Sequence, residues 1–309
     1  VKALAPGKLL LTGAYAVLHG APAIVCAIDR YAVASGAPPR EVSKEVAVAM
    51  GDAGVDRAPH VDVASLFSNG QKLGLGSSAA AVVAALGHVA ALRGEGLATE
   101  RVRRGIFDRA RAAHAQVQSG GSGVDVAASV YGGVLRYALD GAGRPSVAPV
   151  HLPSELRLDV YWSRQSARTS DMRARVDRLR DRDAGLFAAR MQELSVAAEA
   201  AASAIARGEA RSFIEAARAG EAGLRALGRD ADTPIVPPYA PALARTAEEE
   251  HSAFLPSGAG GGDVFVRLGL GSPSERFMEE TRVAGLDRLN LAVDPLGVHV
   301  NGSLGELSS

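Results

Sequence analysis

Two charged residues far apart in the chain stand in surroundings that suit chemistry better than solvent. Lys8 follows Pro6-Gly7 at the start of an apolar strand, where an isolated lysine is either an edge charge or a placed cation. Asp125 is delivered by the glycine-serine run Gln118 to Gly123 into a segment of small apolar residues. A carboxylate there is costly to bury unpaired, so it either caps a helix or meets a partner. Paired with Lys8, it would orient and deprotonate an acceptor oxygen in line with a transferable phosphoryl group.

Between them lies a turn built for anions. In Lys72-Leu73-Gly74-Leu75-Gly76-Ser77-Ser78-Ala79, Gly74 and Gly76 let backbone approach a phosphate, and the alanine-rich helix that follows presents its first amides. Gly74, Leu75, Gly76, Ser77, Ser78 and Ala79 are the expected phosphate contacts. Ser77 and Ser78 add hydroxyls that suit a helix cap, and Ser78 also suits a phosphate-bound Mg²⁺. The turn is neither a Walker loop nor a dinucleotide fingerprint, since no Gly-Lys-Ser/Thr closes it and the glycine spacing differs. A serine-capped turn ahead of a core helix fits the same residues.

Further donors cluster in Ser163 to Asp171, where Arg168 and Thr169 suit an anionic substrate or a solvated loop. The run Ser257-Gly258-Ala259-Gly260-Gly261-Gly262-Asp263 has too many glycines for a simple turn. It implies backbone packed against a ligand or against the first glycine loop, with Asp263 bracing it.

The elements that must position these residues alternate between strand and helix grammar. Residues 2–35 read as strand, turn and strand; 36–70, with the alternating Val46 to Met50, as hairpin and loop. Helices are expected over Ser78 to Leu92 and Thr99 to Gln118, the second capped by Thr99. Strands follow at Val134 to Tyr137 and Leu156 to Trp162, then helix throughout 171–228 and from Ala240 to Glu250. A strand after Asp263, a helix from Glu275 and two short strands close the chain.

The 309 residues suggest two domains, and 34 basic against 34 acidic side chains argue against bulk nucleic-acid or membrane-surface binding. The single cysteine, Cys26, sits in an apolar run and reads as core. With no signal peptide and no apolar run near the roughly 18 to 20 residues of a membrane span, a cytoplasmic location is expected.

Three stretches in this order resemble the signatures of the GHMP small-molecule kinases, the family of galactokinase, homoserine kinase and the mevalonate and phosphomevalonate kinases. They are Ala5-Pro6-Gly7-Lys8-Leu9-Leu10-Leu11-Thr12-Gly13 with Ala16-Val17-Leu18, then Gly74 to Ala80, then Ser257 to Asp263. The pattern Gly121-Ser122-Gly123-Val124-Asp125-Val126-Ala127-Ala128 before Tyr131-Gly132 is most similar to the phosphomevalonate branch, as are Ala27 to Tyr31 and Thr169 to Met172. Val17-Leu18-His19-Gly20 is similar to the mevalonate branch as well. Where mevalonate kinases carry a metal-binding glutamate before the Asp loop, this chain has about His114, and the glutamate that often follows Thr-Gly is Ala14.

The resemblance implies an α+β fold with a ribosomal-protein-S5-like half over 1–155, a ferredoxin-like half over 156–309, and a cleft for ATP and acceptor. It implies Lys8 and Asp125 as catalytic residues, Ser78 on Mg²⁺, and Lys8, His19, Ser122, Arg168, Thr169, Gly260 and Gly261 around a small phosphorylated or alcohol acceptor. The expected reaction is phosphorylation of 5-phosphomevalonate, with mevalonate phosphorylation, diphosphomevalonate decarboxylation and a nucleotide-dependent sensor as alternatives. A homodimer is compatible with it; nucleic-acid and membrane partners are not expected.

Overall fold

Strand β1 (Lys2–Thr12) runs antiparallel to β2 (Ala23–Ser35), and this pair is the spine on which the rest is laid. Bulges at Pro6/Gly7 and Leu10/Thr12 bend β1 on either side of Lys8. The computed structural model describes residues 1–39, 41–118, 120–165 and 169–301, without the side chains of Thr169 and Ser170.

Elements continue in order with α1 (Lys44–Asp52), β3 (His60–Asp62), β4 (Phe67–Ser68), β5 (Gln71–Lys72), α2 (Ser77–Leu92), α3 (Glu100–Val117), α4 (Val124–Tyr131), β6 (Val134–Leu139), β7 (Pro145–Val150) and β8 (Arg157–Trp162). Then come α5 (Thr169–Arg182), α6 (Ala184–Arg207), α7 (Ala210–Asp230), α8 (Ala240–Glu249), β9 (Ala253–Pro256), β10 (Val264–Gly269), α9 (Glu275–Val283), β11 (Asp287–Leu289) and β12 (His299–Val300). A 3-10 turn covers Ala16–His19.

One sheet has the order β12-β1-β2-β6-β7, with β3 also on β2; a second has the order β11-β8-β10-β9. Helices α2 and α4 cover the first sheet. Val82, Val83 and Leu86 of α2 are buried in the core that also holds Leu9, Leu11, Ile24 and Val25. Each such side chain contributes about 1.5–3 kcal/mol over exposure. That burial fixes α2 on β1, and so fixes the glycine turn against Lys8. The same core continues into α6 and α7, through Leu194, Phe213 and Leu224, to β9 and β10. In the second sheet, buried Arg267 reaches Asp159 at 3.3 Å and Glu250 at 3.2 Å, with its guanidinium over the Phe277 ring.

The far end of the chain returns to the first sheet. Asp294 is buried: its Oδ1 accepts from the amides of Leu296 and Gly297, and its Oδ2 accepts from the Tyr31 hydroxyl at 2.6 Å. The Val298 amide donates to the Val130 carbonyl at the end of α4 at 3.1 Å, and Ala3 pairs with Val300. No helix among the described residues is long and apolar enough to cross a membrane.

Three sequence expectations change. Val46 to Met50 is helix, not strand: Ser43 caps α1 by accepting from the Val46 amide, and the "alternation" of valine with alanine is one buried helical face, Val46, Ala49 and Met50. The helix expected throughout 171–228 is three helices, broken where Asp183 caps α6 and where Gly208 takes a left-handed conformation. Thr99 does occupy the N-cap of α3, but its hydroxyl donates back to the Gly96 carbonyl instead of capping.

Candidate active site

Lys8 is where the three glycine-rich stretches meet. Its amide donates to the Leu75 carbonyl at 2.9 Å, tying β1 to the glycine turn. Its stem lies on Gly76, where an added methyl group would stand 2.9 Å from Cγ. Its ammonium faces Gly258 of the third stretch, 3.6 Å from where a Cβ would be. The third stretch is held to β1 independently, since the Leu10 amide donates to Ser257 Oγ at 2.9 Å and the Tyr15 hydroxyl donates to the Ala259 carbonyl at 2.7 Å.

Electrostatics follow from that enclosure. Burial pushes the Lys8 pKa below the ordinary lysine value, while the charges of Asp125 and Asp263 pull it back up. An ammonium close to two carboxylates and partly withdrawn from water is a strong, pre-placed partner for developing negative charge. Asp263 also lies against Gly74, where an added Cβ would stand 2.5 Å from its own. Its backbone bonds to Ser163 and Gln165, so it braces the loop as its position implied.

The glycine turn enters α2 through Gly76, which has φ 77° and ψ 32°. Only glycine holds that geometry cheaply, and here the missing side chain also makes room for Lys8. The helical ladder begins with the Ala80 amide on the Gly76 carbonyl, so the amides of Ser77, Ser78 and Ala79 precede it. The first turn of α2 holds no acidic residue to meet those amides. Gly74, Gly76, Ser77 and Ser78 are half-buried, and Leu75 and Ala79 are core. Neither serine caps the helix, contrary to expectation; the Ser78 hydroxyl donates instead to Glu45 Oε1 at 2.7 Å. Ser78 keeps lone pairs of the hard oxygen type that Mg²⁺ takes.

Asp125 is not the N-cap of α4; Gly123 is, with φ 82°. Asp125 stands in the first turn, where Oδ1 accepts from the Val126 amide at 3.0 Å and Oδ2 lies 3.7 Å from His114 Nε2 of α3. Ser122 turns its hydroxyl to the Val124 amide at 3.3 Å, and its carbonyl accepts from the Tyr137 hydroxyl.

The remaining expected residues lie differently. His19 is exposed and edge-on to Phe187 of α6, 5.4 Å between centroids; burial and Arg180 lower its pKa, and no contact joins it to Lys8. Gly260 and Gly261 press against the backbone of Ile235, which accepts from the Gly261 amide at 2.9 Å. Arg168 and the Thr169 side chain lie outside the described residues. Cys26 is buried, and burial pushes its thiol up to about 12.

Sequence reasoning missed three participants. Tyr15, at φ 62°, joins the first and third stretches. Arg173 of α5 donates to the Gly120 carbonyl at 3.2 Å in the loop that carries Asp125, and its charge reaches Tyr15. Glu45 was hidden in the segment read as hairpin; the signal that finds it is Ser43 three residues ahead of the buried Val46, a helix start.

Residues 42–133 match the family model for the GHMP kinases N terminal domain. The chain is 28% identical over 335 residues to a phosphomevalonate kinase of Streptomyces sp., covering 85% of this chain and 88% of that one. It is 30% identical over 199 residues to a mevalonate kinase of Archaeoglobus fulgidus, covering 58% and 64%. Its fold matches the Streptococcus pneumoniae phosphomevalonate kinase solved with phosphomevalonate and AMPPNP, at TM-score 0.76 and 20% identity over 95% of this chain and 99% of that one. The α+β architecture is thus that of solved GHMP kinases.

Proposed function

The chain belongs to the GHMP kinases, a family of ATP-using phosphotransferases, and on that premise we propose that its acceptor is 5-phosphomevalonate, converted to 5-diphosphomevalonate. The observation that carries the reading is the meeting at Lys8 of all three glycine-rich stretches, with Asp125 close enough to act on its charge.

In this reading the amides of Ser77, Ser78 and Ala79 and the turn from Gly74 to Gly76 receive the triphosphate. Ser78 would hold Mg²⁺ through its hydroxyl oxygen, and when bound the ion supplies neutralising charge to the phosphates. An oxygen of the acceptor phosphate forms a bond to the γ-phosphorus, the bond from that phosphorus to the bridging oxygen breaks, and ADP leaves. Lys8 stabilises the charge on the group in flight, and Asp125 orients the attacking oxygen and takes its proton where it carries one. Catalysis here is positioning and charge neutralisation.

A phosphorylated acceptor requires one more cation. Arg168 and Thr169, with Ser122, remain the candidates drawn from sequence. Among the described residues Arg173 offers a guanidinium beside the Asp125 loop. Mevalonate is the second reading, favoured by the 30% identity to the Archaeoglobus enzyme.

The test is ADP release measured with phosphomevalonate and mevalonate side by side. Turnover of phosphomevalonate is expected, with Lys8→Met lowering kcat by about 10²–10³-fold. Turnover of mevalonate with phosphomevalonate inert would hand the assignment to the second reading.

A further inference from the structure

Resting on the reading of Ser78 as a holder of the nucleotide's divalent cation, we propose that Glu45 supplies the carboxylate of that cation site. Three separate elements bring the donors together: Glu45 from the first turn of α1, Ser78 from the first turn of α2, and Gln118 from the end of α3. Ser78 Oγ donates to Glu45 Oε1 at 2.7 Å, and Gln118 Nε2 reaches that same oxygen at 3.3 Å and Ser78 Oγ at 3.4 Å. A hydroxyl whose proton is committed to a carboxylate has only lone pairs left to offer elsewhere, which makes it a ligand rather than a donor.

Charge points the same way. Glu45 is half-buried, and among the described residues no Lys or Arg lies within ion-pair distance of it. Its partners are neutral donors, with the His114 imidazole beyond them. A half-buried carboxylate held by neutral donors, with no Lys or Arg paired to it among the described residues, is an incomplete arrangement, and a divalent cation completes it.

The stoichiometry also fits. Among the described residues no three of His, Cys, Asp and Glu converge to hold an ion. Mg²⁺ in phosphoryl-transfer sites is held by one or two carboxylates together with substrate phosphates and water, so a single glutamate beside a serine, next to the phosphate turn, is a sufficient protein share. The assignment gives α1 a task that its sequence does not advertise: its capped first turn presents a ligand to the start of α2.

The experiment is a Mn²⁺ titration followed by electron paramagnetic resonance, with the full chain saturated by AMPPNP. Glu45→Gln preserves shape and removes the charge, and is expected to weaken Mn²⁺ binding by about 10–100-fold. Binding of AMPPNP without metal should stay equal or tighten, because a negative charge leaves the neighbourhood of the phosphates. Glu41→Gln, which removes an exposed carboxylate just ahead of α1, separates ligation by Glu45 from a general loss of negative charge and should leave Mn²⁺ binding near wild type. Equal Mn²⁺ affinity in Glu45→Gln and wild type overturns the role of Glu45 while leaving the kinase reading intact, and so does an equal loss in Glu41→Gln. Failure of the wild-type chain to bind AMPPNP and Mn²⁺ removes both.

Discussion

Helices α2 and α4 begin in the same way and acquire opposite electrostatic characters. Each is entered through a glycine in the left-handed region, Gly76 at φ 77° and Gly123 at φ 82°, and neither has a side-chain cap. The second residue of each carries the polar group, Ser78 in α2 and Asp125 in α4. In α4 the carboxylate turns back onto its own helix and bonds the Val126 amide, so the positive end of that dipole is already met. In α2 the Ser78 hydroxyl donates to Glu45 of a neighbouring helix, and no side chain of α2 itself caps its first amides. A glycine entry alone therefore does not make an anion site. On the reading proposed above, the difference lies in whether the helix's own first turn supplies an acid: α4 carries Asp125 there and α2 carries none.

The sharpest way to break this contrast is a matched pair of alanines. Gly76→Ala drives a methyl group into the Lys8 stem and should cost about 10²-fold in kcat/KM, the scale of an ångström-sized misplacement. Gly123→Ala meets only the flexible stem of Arg111 and should appear mainly as about 1–2 kcal/mol of lost stability in denaturant melts. Similar activity losses in the two would remove the distinction.

Planting a carboxylate in α2 tests the same point from the other side. Ser77→Asp should raise the KM for ATP about tenfold or more, as two like charges meet, yet leave the melting temperature unchanged or slightly higher, since an acid at a helix start contributes about 0.3–1 kcal/mol. An unchanged KM would mean that the triphosphate does not sit there.

The smallest effect is a shift in pH. Lys8 is needed as ammonium; burial lowers its pKa, and Asp125 raises it. Asp125→Asn removes the raising influence, so the alkaline limb of the kcat profile, set by loss of that proton, should move to lower pH. A limb that stays in place would separate the two residues.

The site was legible in sequence where backbone had to come close. Pro6-Gly7-Lys8, Gly74 to Ser78 and Ser257 to Asp263 are composed of residues that only tight approach requires, and their order exposes the relation among them. Glu45 was not legible, because Val46-Ala47-Val48-Ala49-Met50 satisfies a period of two as readily as a helical face, and alanine decides nothing between them. Strand β7 escaped because Pro145 and Pro149 argue against a strand except at an edge, and the edge is where it lies. Capping was one of two readings open for Ser77, Ser78 and Asp125, and it does not occur, because in both helices a glycine occupies the cap position.

The clasp formed by Asp294, Gly297 and Val298 has a mechanical meaning. The helix that carries Asp125 near its start is held at its other end by a segment distant in sequence, the one that leads into β12. Loosening that contact would reach Asp125 through the length of α4, with no change in the loop that leads into the helix.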